Sequence, residues 1–117
     1  MIDKLTDIFK RQRTLQKNIE KTQTRSYFYH PESFLGQKIF MISSAIIHEA
    51  VELQRETAFK WWKKKDELET KKIKEEVVDI WHFVIQLSLE VGLSPDELWS
   101  EYIRKNGVNE KRQEDGY

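Results

Sequence analysis

The sequence has no cysteine, and it contains only two prolines and four glycines. The absence of cysteine excludes disulfide bonds, thiolate catalysis and thiolate zinc sites, and three histidines could hardly replace those ligands. No stretch approaches the roughly 20 apolar residues of a membrane span, and the first residues lack the continuous apolar core of a signal peptide. We therefore expect a soluble, cytoplasmic protein.

A net charge is also absent, because twenty basic and twenty acidic residues cancel. No overall positive field is available to hold nucleic acid or an anionic membrane, so neither is an expected partner. Charged residues make up 34% of the chain, against roughly 25% in an average globular protein, and hydrophobic residues 38%. With 117 residues, the chain predicts a single domain of long amphipathic helices with a thin core.

The apolar periodicity predicts an all-α, four-helix-bundle-like fold. The sharpest boundary precedes the fourth helix, where Ser94 supplies an N-cap, Pro95 a first-turn proline and Glu97 a capping-box carboxylate, after Gly92 has closed the third helix. Residues after Lys105 have no apolar periodicity and are expected to form a mobile tail. The predicted helices cover residues 2–24, 37–63, 73–91 and 94–105.

The third predicted helix is apolar on nearly all of its faces. Ile73, Val77, Ile80 and Val84 begin a strict four-three spacing, and further apolar residues fill the other sides. A helix of this kind must be covered nearly all round, which three short helices of one chain would struggle to do. We therefore expect a homodimer whose core is completed by the second copy.

Two amides, Gln12 and Gln16, occupy core-facing positions of the first predicted helix. Buried amides need hydrogen-bond partners. Either the two side chains lie at the rim of the bundle, or a ligand supplies their partners.

Two carboxylate pairs lie within apolar surroundings. Glu49 and Glu52 are three residues apart on the second predicted helix, and Glu76 and Asp79 are three apart on the third, so each pair projects from one helical face. A further pair at residues 66 and 69 has the same spacing, but it lies in a polar, lysine-rich segment where a solvated surface explains it. Four carboxylates can therefore converge between two helices.

Convergence of these four groups requires compensating positive charge. Carboxylates about 5 Å apart repel by roughly 3 kcal/mol per pair at an effective dielectric constant near 20. The apolar stripes around them carry no lysine or arginine, and all-oxygen ligation suits magnesium, which also binds phosphates. A nucleoside triphosphate would need two or three magnesium ions and basic side chains, which are available at Lys60, Lys63, Lys105, Lys111 and Arg112.

Five segments together resemble a known family. They are Glu-x-x-Glu at 49–52, Glu-x-x-Asp at 76–79, FKWWK at 59–63, EEVVDIWHF at 75–83 and KNGVNEKRQEDGY at 105–117. The two carboxylate motifs resemble the metal signature of the MazG-like all-α nucleotide pyrophosphatases. The other three segments, which occur in this order along the chain, resemble one branch of that superfamily, the all-α dimeric dUTPases.

The resemblance implies hydrolysis of dUTP to dUMP and pyrophosphate, with magnesium, or manganese in its place, held by Glu49, Glu52, Glu76 and Asp79. One of these carboxylates would also orient the attacking water. The residues that would contact phosphates are Lys63, Lys105, Arg112 and Tyr117. Those that would contact the nucleoside or close over it are Gln16, or Gln12 in another register, with Trp62, His82, Phe83, Asn109 and Gln113.

Two alternatives remain open from the residues alone. One is a pyrophosphatase for another noncanonical deoxynucleotide, and the other is a noncatalytic helical dimerisation module that binds no magnesium. Without the nearby carboxylates, His82 and Phe83 would be interpreted as core residues.

Overall fold

The computed structural model describes residues 2–22, 35–64 and 67–116. The connection predicted between the first two helices covers residues 25–36, and its residues 25–34 lie outside these ranges, as do residue 66 of the third acidic pair and Tyr117. The described residues form four α-helices and no strand, which confirms the predicted all-α fold. They are α1 (Lys4–Thr22), α2 (Leu35–Arg55), α3 (Thr70–Glu90) and α4 (Pro95–Glu114).

The turn between α3 and α4 forms as predicted. The backbone N–H of Glu97 donates to Ser94 Oγ at 3.1 Å, and Pro95 occupies the first turn of α4. Gly92 has a φ angle of +81°, which is a left-handed backbone conformation. Residues other than glycine adopt this conformation only at an energetic cost.

Helix α2 ends at Arg55, eight residues before the predicted end at Lys63. Backbone hydrogen bonds of the i to i+3 type tighten its last turn, from Glu56 N to Leu53 O at 3.1 Å and from Thr57 N to Gln54 O at 3.0 Å. The Thr57 hydroxyl also donates to Gln54 O at 2.6 Å. A threonine that satisfies a terminal carbonyl ends a helix more readily than it continues one.

Helix α4 continues past Lys105 to Glu114, so the predicted helix end at Lys105 is wrong. The mobility of the tail stays a prediction. Gly107 lowers helix stability by about 1 kcal/mol, but it does not end the helix. Asn106 Nδ2 donates to Glu110 Oε1 at 3.1 Å, one turn along, and two basic side chains in the last turn interact favourably with the helix dipole. Local polar pairing thus replaces the missing apolar stripe.

Helices α2 and α3 form an antiparallel pair, tied by a Lys72–Glu56 salt bridge at one end and a Lys38–Glu90 salt bridge at the other. Helix α1 packs on α3, whereas α4 turns away from α3 by 104° and makes a small contact with α1. No single described helix is long and apolar enough to cross a membrane, although α3 and α4 pass that test as a bent pair. Among the described residues, the buried apolar side chains are Phe9 of α1, Ile42 of α2 and Ile85 of α3.

Candidate functional site

Three of the predicted carboxylates converge between α2 and α3. Glu49, Glu76 and Asp79 each offer one oxygen atom, and these atoms lie within 4.8 Å of one another. The convergence follows from the antiparallel pairing, because the second half of α2 lies beside the first half of α3. Glu76 and Asp79 then project toward Glu49 from successive turns.

The fourth carboxylate, Glu52, lies beside the same cluster. It is exposed, and its side chain interacts with both Glu49 and Glu76 closely enough to raise their pKa values. The structure therefore brings together all four acidic residues of the two apolar-embedded pairs, which we call the acidic cluster. Their role as metal ligands stays a prediction.

The environment favours the protonated forms of two of these groups. The pKa of Glu49 is raised above its ordinary value of 4.5, first by burial and then by the charges of Glu52 and Asp79. The pKa of Glu76 is raised for the same reasons in the same order, with a further contribution from Glu56. Without a cation, the four negative charges therefore repel one another, and those of Glu49 and Glu76 are also poorly hydrated.

Two carboxylate oxygens of the cluster are buried without a partner. Glu49 Oε2 and Glu76 Oε2 are inaccessible to solvent, and no donor among the described residues reaches either atom. Nearby Lys72 forms its salt bridge with Glu56 at 3.3 Å. Buried polar atoms are normally satisfied, so an orphaned pair within an oxygen-only cluster fits a hard divalent cation.

A cavity with slightly more basic than acidic side chains, which we call the basic cavity, adjoins the acidic cluster where the chain connects α2 to α3. Its volume is about 580 Å³, and its charged lining consists of four basic side chains and three acidic ones, which are Arg55, Lys60, Lys63, Lys64, Glu56, Glu67 and Glu69. Glu56 also lines this cavity and raises the pKa of Glu76, so the cavity lies next to the cluster. Lys63, which was predicted to contact phosphates, thus lines a cavity that also contains Glu56, a neighbour of Glu76.

A second cavity lies between α1 and α3 and has a volume of about 560 Å³. Its wall is largely apolar, with Val78, Trp81 and Ile85 from α3, and its polar side chains include Gln12 and His82. His82 Nδ1 and Gln12 Oε1 are 2.9 Å apart. Because His82 follows Asp79 by three residues on α3, this apolar cavity lies one turn from the acidic cluster.

A family model described as dUTPase matches residues 4–97 of the chain. The chain belongs to this dUTPase family. A dCTP pyrophosphatase of Enterobacteria phage T4 is 42% identical over 52 residues, which is 44% of this chain. The chain covers 29% of the length of that relative. No solved structure matches the chain.

The residues that the dUTPase resemblance predicts to contact the nucleoside do not all line one cavity. Gln12, the alternative register, lines the apolar cavity and is buried, whereas Gln16 is half-buried one turn further along α1. Phe83 is half-buried on the turn of α3 that follows Asp79. Trp62 is exposed and packs edge-on against Trp61, with ring centroids 5.6 Å apart.

The predicted phosphate contacts on α4 are not brought to the acidic cluster within one chain. Lys105, Asn109, Arg112 and Gln113 are exposed on α4, beyond residues 4–97, which the dUTPase model matches. With a rise of about 1.5 Å per residue and a turn of 104° between α3 and α4, Asp79 and Lys105 are about 20 Å apart. Tyr117 lies outside the described residues.

Gln86 is a buried polar residue that the sequence patterns did not single out. This amide is 4% exposed on α3, and its Oε1 accepts a hydrogen bond of 3.3 Å from Gln12 Nε2. A signal was present, because a glutamine between Ile85 and Leu87 interrupts an otherwise apolar segment.

Proposed function

We propose that this member of the dUTPase family is a magnesium-dependent pyrophosphatase that hydrolyses dUTP to dUMP and pyrophosphate. The observation that carries the proposal is the pair of buried, unpartnered oxygens of Glu49 and Glu76, beside a cavity whose lining includes three lysines and an arginine. A purely structural cluster would be expected to hold a lysine or arginine at this point. A noncatalytic dimerisation module gives no reason for such a cluster.

The acidic cluster holds the metal ions in this proposal. Glu49 and Glu76 supply buried oxygens, while the more exposed Glu52 and Asp79 complete the ligand set and leave room for water and phosphate. Magnesium, when bound there, supplies positive charge that polarises the phosphates and lowers the pKa of the attacking water. One carboxylate of the cluster orients that water. A bond forms from the water oxygen to phosphorus, the anhydride bond between the α- and β-phosphates breaks, and the water loses a proton, which is released to solvent.

The basic cavity receives the triphosphate. Lys60 and Lys63 lie in the connection that follows α2, and their ammonium groups balance charge that the metal ions leave uncompensated. Because the apolar cavity lies on the other side of Asp79 along α3, the nucleotide extends along this helix. Its phosphates lie toward Thr70 and its base toward His82.

The apolar cavity receives the base. Its apolar wall provides a surface for a pyrimidine ring, and Gln12 and His82 provide polar contacts. The family description supports uracil. The T4 relative supports a second candidate, dCTP, because that protein is named a dCTP pyrophosphatase.

A homodimer forms part of this proposal. Phe40, Ile47 and Val51 lie along one stripe of α2, opposite the face that carries Glu49 and packs on α3. Phe40 is 73% exposed and Ile47 is 64% exposed. A second copy that packs against this α2 stripe would remove an apolar surface from water and enlarge a core that one chain leaves small.

The residues of α4 enter the site across that dimer. Lys105 and Arg112 are too far from the acidic cluster of their own chain, yet they lie on a helix that projects away from the α2–α3 pair. We place them at the phosphates bound by the partner. This arrangement reconciles the dUTPase resemblance of residues 105–117 with the position of α4.

A substrate panel tests the proposed activity. Initial rates of pyrophosphate release are measured for dUTP, dCTP, dTTP, dATP, dGTP and UTP, with magnesium and with a chelator. We expect dUTP to give the highest kcat/KM and the chelator to abolish turnover. A preference for dCTP would favour the second candidate, and no turnover of any nucleotide would support the noncatalytic alternative.

A further inference from the structure

A chain of polar side chains runs from α2 through α3 to the apolar cavity. Lys38 Nζ lies 3.7 Å from Glu90 Oε2, and Glu90 Oε1 accepts a hydrogen bond of 2.8 Å from Gln86 Nε2. Gln86 Oε1 accepts from Gln12 Nε2 at 3.3 Å, and Gln12 Oε1 lies 2.9 Å from His82 Nδ1. We call these five residues the relay.

The ion pair between Lys38 and Glu90 determines the direction of every hydrogen bond in the relay. Glu90 pairs with a lysine, so it is ionised and can only accept. Gln86 must therefore turn its NH₂ group toward Glu90 and its carbonyl oxygen toward Gln12. Gln12 must in turn donate to Gln86 and present its own carbonyl oxygen to His82.

The end of the relay is a histidine with a fixed proton. His82 Nδ1 faces a carbonyl oxygen, so Nδ1 carries the hydrogen and the Nε2 of the neutral ring keeps its lone pair. Neutral imidazole in water prefers the opposite tautomer, with the hydrogen on Nε2. His82 lines the apolar cavity and is exposed, and no described residue is hydrogen-bonded to its Nε2.

We infer that the relay makes His82 Nε2 a hydrogen-bond acceptor and thereby selects uracil, whose N3 carries a hydrogen, over cytosine, whose N3 carries a lone pair. This inference rests on the proposed function and specifies its base. Gln86 and Glu90 act through Gln12 and His82, so they are positioning residues for base recognition. A site with a fixed acceptor discriminates strongly, because the wrong base leaves two lone pairs opposed.

The tautomer of His82 tests the relay without any substrate. In the ¹⁵N-labelled full chain, a two-dimensional ¹H–¹⁵N spectrum distinguishes a protonated from an unprotonated ring nitrogen, and a His82→Asn variant assigns the signals. We expect a protonated Nδ1 and an unprotonated Nε2 near neutral pH. A wild-type His82 that carries its hydrogen on Nε2 would overturn the inference.

Selectivity tests the consequence for recognition. Gln86→Leu removes both hydrogen bonds of the amide, and we expect the ratio of kcat/KM for dUTP to that for dCTP to fall about tenfold, mainly through KM. We also expect wild-type protein to discriminate against N3-methyl-dUTP, which lacks the N3 hydrogen, and Gln86→Leu to discriminate less. Unchanged ratios in a Gln86→Leu protein with wild-type helicity would contradict the inference.

A swapped pair provides the control for a merely structural role. In the double variant Gln86→Glu, Glu90→Gln, the carboxylate at residue 86 still accepts a hydrogen bond from Gln12. The amide at residue 90 donates to the carboxylate at residue 86, and the total charge is unchanged. We expect this double variant to regain the wild-type tautomer and selectivity. Failure of a folded double variant to do so would count against the relay. If wild-type protein hydrolysed no pyrimidine nucleotide, the proposed function would fail, and the tautomer measurement would still decide the relay.

Discussion

Glu49 on α2 and Glu76 on α3 each keep one carboxylate oxygen buried, and no donor among the described residues reaches either atom. Both pKa values are raised, first by burial and then by neighbouring carboxylates. The pair therefore opposes folding when it is ionised and unligated. The same two oxygens become favourable ligands once a divalent cation is bound.

The first prediction concerns stability against pH without metal. A carboxyl group whose pKa is raised in the folded state binds more protons when folded than when unfolded. Stability therefore falls as the pH rises from the ordinary value of 4.5 through the raised pKa. We expect Glu76→Gln to raise Tm relative to wild type at pH 8 in a chelator, with the gain shrinking toward pH 4.5. Thermal unfolding by circular dichroism measures this.

With magnesium, wild type should have a higher Tm than Glu76→Gln, the reverse of the order expected in chelator. Magnesium binds the folded wild type and raises its Tm, and it should raise the Tm of Glu76→Gln much less. Glu75→Gln, an exposed neighbour on the same helix, serves as the control and should behave like wild type. A Glu76→Gln protein that is less stable than wild type at pH 8 in chelator would contradict the interpretation of the buried oxygen.

The second prediction concerns the basic cavity. Lys63→Ala should raise KM for dUTP about tenfold, because a hydrogen bond to a charged phosphate contributes roughly 1.5–3 kcal/mol. Lys71→Ala removes an exposed lysine from α3 that does not line the cavity, and it should leave KM near the wild-type value. Steady-state kinetics compares the two variants. Equal KM values would remove Lys63 from the phosphate site.

The third prediction concerns assembly. Light scattering at micromolar concentration should give twice the chain mass of 14.2 kDa. Phe40→Lys should weaken the dimer, because it places a charge on the exposed apolar stripe of α2. Ser100→Lys adds the same charge at an exposed position of α4 and should leave the dimer intact. A monomeric wild type would show that one chain tolerates this exposed surface.

The fourth prediction concerns α4 across the dimer. Glu49→Gln and Arg112→Ala proteins should each be weakly active, because one lacks a ligand and the other a bidentate phosphate contact. When the two are mixed and allowed to exchange subunits, some heterodimers combine an intact acidic cluster with an intact α4 from the other chain. We expect activity to recover in the mixture. No recovery, despite subunit exchange, would place α4 at the site of its own chain or outside the site.

The acidic cluster was predictable because its signal is local. Two carboxylates three residues apart must share a helical face, and their apolar neighbours bring that face to another helix. The start of α4 at Ser94 was predictable for the same reason, since the cap, the proline and the capping-box residue are adjacent in the sequence.

The features that the sequence did not predict depend on competing local hydrogen bonds or on contacts between distant parts of the chain. The early end of α2 at Arg55 reflects a threonine hydroxyl that competes for a terminal carbonyl, and the length of α4 reflects polar pairs that apolar periodicity does not detect. The contact between Gln12 and Gln86 joins residues 74 positions apart. It depends on how α1 packs on α3, which no local pattern specifies.

The most direct test of the account is the magnesium-dependent release of pyrophosphate from dUTP by wild type and by Glu49→Gln. The amide keeps the shape of the side chain but loses its charge, so the variant should fold normally, bind magnesium poorly and turn over orders of magnitude more slowly. Glu75→Gln should retain wild-type rates. Wild-type turnover by a well-folded Glu49→Gln protein would contradict a mechanism based on the acidic cluster.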